Sequence, residues 1–358
     1  MKTNIYIRAA AAISPLQSIE KIELPKHYDT IKGNKAICIE PNYKAYIPPI
    51  KARRMSRIIK LSSVSAKKCL KHANINNPEM INVATGMGCQ TDTIKFLEQL
   101  ISDKEQYLKP TAFINSTHNT LAGYLAIDLK SKGQNFSFTH NELNFEHALL
   151  DSIIRLNSKE VNNVLLGAVD EICEETHLIK DKMNLLCKSD LLQNQIFSES
   201  NSGYIDGENS VFFTLENSHH DESLAIISSL DFAYNVKDET DFGNRINDIA
   251  KANNFDLSKV DALMLGNNGI TEVDNILNNW VAKEKTSQKA LVFKHISGEN
   301  MISAGFGVWL CANILKQNYI PNYLYQEANS NFETIDNILL INHNGNNNFS
   351  LIFIRANE

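Results

Sequence analysis

Residues 162–171 read NNVLLGAVDE, an unbroken apolar run closed by two acids. Directly before it, NELNFEHALLDSIIRL (141–156) repeats its apolar residues at helical spacing. A short continuous apolar run after an amphipathic helix predicts a strand buried on both faces. The same alternation recurs outward in both directions. On the N-terminal side, RRMSRIIKLSSVSAKKCLKHA (53–73) and TDTIKFLEQLI (91–101) read as helices, the second with Thr91 or Asp92 near its cap. Between them, INVATGMG (81–88) reads as a buried strand ending in glycines. On the C-terminal side, SVFFTLEN (210–217) and SLAIISSLDFAY (223–234) read as strands, and RINDIAKANN (245–254) as a helix. VDALMLGNNG (260–269) is a strand running into a glycine turn, VDNILNNWVAKE (273–284) a helix, and ALVFKH (290–295) a strand. SAGFGVWLCANILKQ (303–317) is a helix rich in small residues, suited to close packing. NILLINHNG (337–345) and NFSLIFIRA (348–356) form a closing hairpin with Gly345 in its turn. Strands alternating with helices give an α/β class. The two comparable halves, expected as residues 1–219 and 220–358, point to an internal duplication. No low-complexity linker separates them, so one shared core is expected.

Composition narrows the function classes. The chain has 358 residues, 43% of them hydrophobic, enough for a large core. Its formal net charge of −6 argues against bulk nucleic-acid binding. The cysteines Cys38, Cys69, Cys89, Cys173, Cys187 and Cys311 are widely spaced and form no CxxC, so neither a zinc site nor a disulfide framework is expected. Reduced thiols in a cytoplasmic protein are the plain reading. The apolar N-terminal run is interrupted by Arg8 and fits an opening strand better than a signal peptide. No stretch reaches the roughly 18 apolar residues of a membrane span. GlyMetGly (86–88) lacks a following Lys-Ser/Thr and is no phosphate loop, and no cofactor or metal motif is present.

Six short motifs, in order, resemble the β-ketoacyl synthase family of the thiolase fold. IleSerProLeu (13–16) is similar to its opening "SPLG" turn, ArgArgMet (53–55) to its RRM helix, and residues 165–171 to its strand "LAGGADE". Asp206–Asn209 with the following VFFTLE is similar to "GEGAAVLVLE". Lys294–Gly298 with Ser303–Gly305 is similar to "KSxxGHxxxAAG", and Ile320-Pro321 to the "IPP" beyond it. RRMSRIIK, KPTAFINSTHNT and FEHALLDS are closer to a divergent branch found in bacterial aryl-polyene and flexirubin-type pigment clusters. The resemblance implies a five-layered α-β-α-β-α fold from two duplicated halves.

The family's condensing enzymes hold an acyl group on a Cys at the N-terminus of a buried helix, where helix amides favour the thiolate. Two His residues then assist decarboxylation and stabilise the carbanion and oxyanion. Carried onto this chain, the Cys position falls on His140, the first His on Asn267 and the second on Glu299, while the motif lysine is retained as Lys294. Imidazole holds no stable thioester, and Glu299 would put negative charge where an anion must form. The resemblance therefore implies a degenerate subunit of chain-length-factor type. Such a chain pairs with an active ketosynthase, or with itself, in polyene or fatty-acid-type biosynthesis. Two other readings stand beside it: a thioester-acting enzyme of changed chemistry using His140 and Glu299, and a homodimeric acyl-binding scaffold.

Some features carry two readings each. Cys89 is a small core residue or a displaced nucleophile. His118 is a helix-start residue or faces a tunnel or dimer contact, and His147 packs on the helix that follows His140. Lys51, Arg53, Arg54, Arg57, Lys60, Lys67, Lys68 and Lys71 lie within residues 51–71 with no acid among them. They form a solvated face or, given the resemblance, a dock for an acidic acyl carrier protein, with Arg53, Arg54, Arg57 and Lys60 foremost. Family dimers pair edge strands, and the segments expected to do so are 162–171 and the one around His118.

Overall fold

The computed structural model describes residues 1–21, 23–30, 32–106, 110–198, 201–284, 289–326 and 334–357. The first half runs β1 (Lys2–Ile13), β2 (Lys35–Ala36), α1 (Pro49–Ala52), α2 (Arg57–Ala73), β3 (Met80–Ala84), α3 (Gln90–Ser102), α4 (Pro110–Asn115) and α5 (Thr120–Asp128). It continues with β4 (Gln134–Phe138), α6 (Asn144–Asn157), β5 (Asn163–Asp170), α7 (Glu174–Lys182), β6 (Asp206–Gly207) and β7 (Asn209–Glu216). The second runs β8 (Ala225–Ala233), α8 (Glu239–Asn253), β9 (Ala262–Leu265), α9 (Thr271–Glu284), β10 (Lys289–Val292), α10 (Lys294–Ser297), α11 (Ser303–Gln317), β11 (Asn337–Asn342) and β12 (Phe349–Arg355).

Ten strands form one ladder in the order β4-β3-β5-β7-β1-β8-β12-β11-β9-β10. The order is a mirror across the antiparallel β1–β8 seam. On one side β3 pairs parallel with β4 and β5, and β7 antiparallel with β5 and β1. On the other, β9 pairs parallel with β10 and β11, and β12 antiparallel with β11 and β8. Strand periodicity sorts the side chains into layers. In β5, Leu166 and Ala168 face a core shared with α6 and α11, while Leu165 and Val169 face α2 and α5. In β9, Ala262 and Met264 face the shared core, while Leu263 and Leu265 face α8 and α9. The result is α2/α5, first half-sheet, α6/α11, second half-sheet, α8/α9: the five layers expected, with one continuous ladder threading both sheets.

The small residues of α11 let it sit in the middle. A Cβ on Gly305 would lie 2.7 Å from Ala168 Cβ in β5, and one on Gly307 would lie 3.0 Å from Leu340 in β11. The helix is therefore pressed between two sheets at once.

Two sequence expectations change. Helix α6 starts at Asn144, because 139–143 are spent on a bend after β4. β5 is an interior strand between β3 and β7, so 162–171 is not available for edge pairing; the ladder's free edges are β4 and β10. Among the described residues, no helix is long and apolar enough to cross a membrane.

Candidate functional site: a buried lysine–glutamate network beside an acidic cavity

The loops leaving β9, β10 and β11 converge with the start of α6. There the retained lysine meets the glutamate. Lys294 is fully buried on the single turn α10, and its Nζ donates to Glu299 Oε2 at 2.7 Å and to the carbonyl of His343. Glu299 also accepts from Asn268 Nδ2 at 2.6 Å and from Ser303 Oγ at 3.3 Å. Its own backbone is clamped: its N–H donates to Ile205 O at 2.7 Å, and its carbonyl accepts from Gly207 at 3.0 Å. Gly298 permits this approach, with φ +67° and room for no Cβ against Gly207.

Asp274 fixes the neighbouring turn by accepting from the N–H groups of Asn268 (3.1 Å) and Gly269 (2.8 Å). His343 Nε2 lies 3.1 Å from the same carboxylate, and its Nδ1 accepts from Gly345 N–H at 3.0 Å. Glu146, from the first turn of α6, is buried and accepts from Ser350 Oγ (2.7 Å) and Asn342 Nδ2 (3.0 Å). Burial raises its pKa.

In front of this network lies a cavity of about 300 Å³, lined by Asn141, Tyr204, Glu299, Met301, Asn344 and Asn346 among others. Its first-half wall is acidic. Burial pushes Asp170 up to about 6 and Glu171 up to about 7. Asp170 holds the Thr85–Gly88 turn through Thr85 Oγ1 (2.8 Å) and Gly86 N–H (2.9 Å). Asp206 is bound by Lys180 Nζ at 2.7 Å and His177 Nδ1 at 2.9 Å. Cys173 lines the cavity, 2.9 Å from Glu175 Oε2, and burial first and then that carboxylate raise its thiol pKa. Cys89 is buried at the start of α3, and its thiol is pushed up in the same way. Neither environment favours a thiolate.

The sequence-stretch candidates are thus only partly brought together. Lys294 and Glu299 meet. Asn268, one residue beyond the expected Asn267, is the amide that reaches Glu299; Asn267 turns away and donates to Asn278 Oδ1 at 2.8 Å. His140 stands exposed in the bend before α6, stacked on His147 at 4.3 Å, and its backbone N–H bonds the Asn144 side chain. Its neighbour Asn141 is the residue that lines the cavity. His118 is exposed, with its backbone closing on Gly88. His343 and Asp274 escaped the sequence reading; the NHNG run at 342–345 was read only as a turn. Of the basic stretch, Arg57 is committed to Glu208 (2.5 and 2.7 Å) and to Glu40, and Lys51 and Lys67 to Asp128. Arg53 and Arg54 are exposed. Among the described residues no cluster of His, Cys, Asp and Glu could hold a metal ion.

Residues 30–187 match the family model for the β-ketoacyl synthase N-terminal domain. No curated protein sequence matches the chain. Solved structures do. The ishigamide ketosynthase/chain length factor aligns at a TM-score of 0.78 and 12% identity, over 99% of this chain and 100% of that one. A β-ketoacyl synthase from Burkholderia phymatum gives 0.78 and 14%, over 99% and 100%. The ketosynthase ApeO in complex with its chain length factor ApeC, from Xenorhabdus doucetiae, gives 0.75 and 13%, over 99% and 98%. At these identities the likeness is one of fold. The fold over nearly the whole chain is thus the thiolase-like ketosynthase fold, and residues 30–187 resemble the β-ketoacyl synthase N-terminal domain.

Proposed function

We propose that the chain is a non-condensing, chain-length-factor-like subunit that pairs with an active ketosynthase homologue in polyene or other fatty-acid- or polyketide-type biosynthesis. The observation that carries this reading is the Lys294–Glu299–Asn268 network. The family resemblance puts two imidazoles in this region; here a carboxylate accepts from an amide and from a buried ammonium. A carboxylate so placed opposes the negative charge that builds in decarboxylative condensation. Exposed His140 offers no acyl carrier in the cavity. Residues 1–219 and 220–358 are read as the two copies of the duplicated unit. Ketosynthase and chain-length-factor complexes among the structures of like fold support the pairing.

The free edge β4 suits a partner. It pairs on one side only, and Phe136 within it and Phe113 and Ile114 on α4 are exposed. Arg53 and Arg54 suit an acidic carrier protein. The test is co-expression with a Cys-containing ketosynthase homologue, followed by size exclusion and product profiling. A co-eluting heterodimer whose product length changes with this chain is expected. A ketosynthase whose elution and products are indifferent to it overturns the reading.

A further inference from the structure

Helix α10 presents consecutive residues to different surroundings. Lys294 enters the buried network, whereas His295 lines a separate cavity of about 510 Å³ between the end of β10, residues 28–30, 194–198 and 322–326. Tyr28, Phe197, Tyr323 and Tyr325 supply its aromatic walls, and Asn and Gln side chains much of the rest. No Lys, Arg, Asp or Glu is among its described lining residues.

His295 is 3% exposed and held on several sides. Its ring meets Phe197 edge-on at 5.6 Å and Tyr28 edge-on at 6.3 Å. Its Nε2 lies 3.0 Å from the carbonyl of Tyr323, so that nitrogen carries the hydrogen and Nδ1 is left as an acceptor. Nδ1 is buried with no partner, and so is the hydroxyl of Tyr323 on the same lining. Burial holds the imidazole neutral, its pKa lowered to about 4. Two unpartnered buried polar atoms are costly to keep unless something bonds them.

We propose that this cavity is a second binding site, for an uncharged aromatic molecule that carries a hydroxyl or N–H donor, its ring against the tyrosines and its donor on His295 Nδ1. Aromatic walls favour a flat ring, and the uncharged side chains of the described lining disfavour an ionised ligand. The leftover acceptor selects a donor-bearing ring over its methylated analogue.

The test uses the full chain at neutral pH and ligand-observed NMR titration with four probes: phenol, anisole, cyclohexanol and benzoate. Phenol is expected to bind at least about tenfold tighter than anisole, which lacks the donor, and than cyclohexanol, which lacks the flat ring. Benzoate is expected to show no binding. His295→Phe keeps a ring between Phe197 and Tyr28 but removes Nδ1, and should bring phenol down to the level of anisole. Tyr323→Phe, should the first variant fail to fold, should weaken phenol severalfold and leave anisole unchanged. Equal binding of phenol and anisole to the unaltered protein, no phenol binding at all, a phenol preference that survives His295→Phe, or one undiminished in Tyr323→Phe would overturn the proposal.

Discussion

Lys294 Nζ lies 2.7 Å from Glu299 Oε2, with the lysine side chain fully out of solvent and the glutamate 7% exposed. Removing one partner of such a pair strands the other as a buried charge, at a cost of about 3–5 kcal/mol. Glu299→Gln and Lys294→Met should each lower unfolding free energy by about that amount in urea titrations. The double variant should lose clearly less than the sum. Strict additivity would mean that the two groups are not coupled.

On the proposed reading the chain should be catalytically inert. Incubation with acyl carrier thioesters should leave the intact mass of the protein unchanged. His140→Cys should not introduce condensation, because residue 140 stands on the surface beside His147 and Glu299 remains at the network. A stable acyl adduct on the unaltered chain, or ketoacyl product from the variant, would contradict both statements.

Stability should depend on pH through Glu171. Its side chain is 2% exposed, and burial raises its carboxyl to about 7 in the folded state against 4.5 for the ordinary group. The folded protein therefore holds this proton more tightly than the unfolded chain does. Its contribution is full below pH 4.5 and is lost as pH rises through about 7, a swing of at most about 3 kcal/mol. Denaturant midpoints measured from pH 5 to 8 should fall with pH by this route, and Glu171→Gln should flatten the slope. An unchanged slope in the variant would show that other groups set it.

Pairing with a partner should depend on the β4 edge. Phe113→Glu and Ile114→Glu place charge on exposed apolar positions and should cut co-purification with a ketosynthase partner at least about tenfold. Melting temperature of the isolated chain should move little, since surface substitutions typically stay within about 0.5 kcal/mol. Undiminished co-purification would move the interface elsewhere.

Carrier-protein docking should fall to Arg53 and Arg54 and not to Arg57. Arg53→Glu with Arg54→Glu should slow association with an acidic carrier protein about tenfold at low salt, with the difference shrinking as salt rises. Arg57→Ala should instead reduce stability, because it leaves the 1%-exposed Glu208 carboxylate without its guanidinium. Equal association rates for the double variant and the unaltered chain would remove these arginines from the dock.

Linear patterns carried most of the fold. The apolar run at 164–169 is buried on alternate sides by two different helix layers, which is why it reads as continuous. Helix α11 was legible to the residue, because its small residues mark a helix between sheets. The meeting of Lys294 and Glu299 was legible because they lie within one short motif with Gly298. Four things were not. Which of two adjacent asparagines faces inward is set by the turn at Gly269, with φ +95°, and nothing in the residue types distinguishes Asn267 from Asn268. His140 was misplaced because the number of residues spent on the bend before α6 leaves no periodic trace. His343 joins Asp274 across a long stretch of chain, so spacing gave no hint of it. β5 was expected at an edge because strand order within a sheet is a property of topology, and composition says nothing of it.

The twelve residues of β1 tie the order of synthesis to the order of assembly. Tyr6 to Ile13 pair with β7, and Lys2 to Ile7 pair with β8, so this strand serves partners made much later. Until Ser210–Glu216 emerge, β1 is an apolar strand with two bare edges, the kind of segment on which nascent chains stick to one another. The seam must wait longer still, for Ala225–Ser229. Such distant pairing makes folding slow, since a long loop is closed before any contact rewards it.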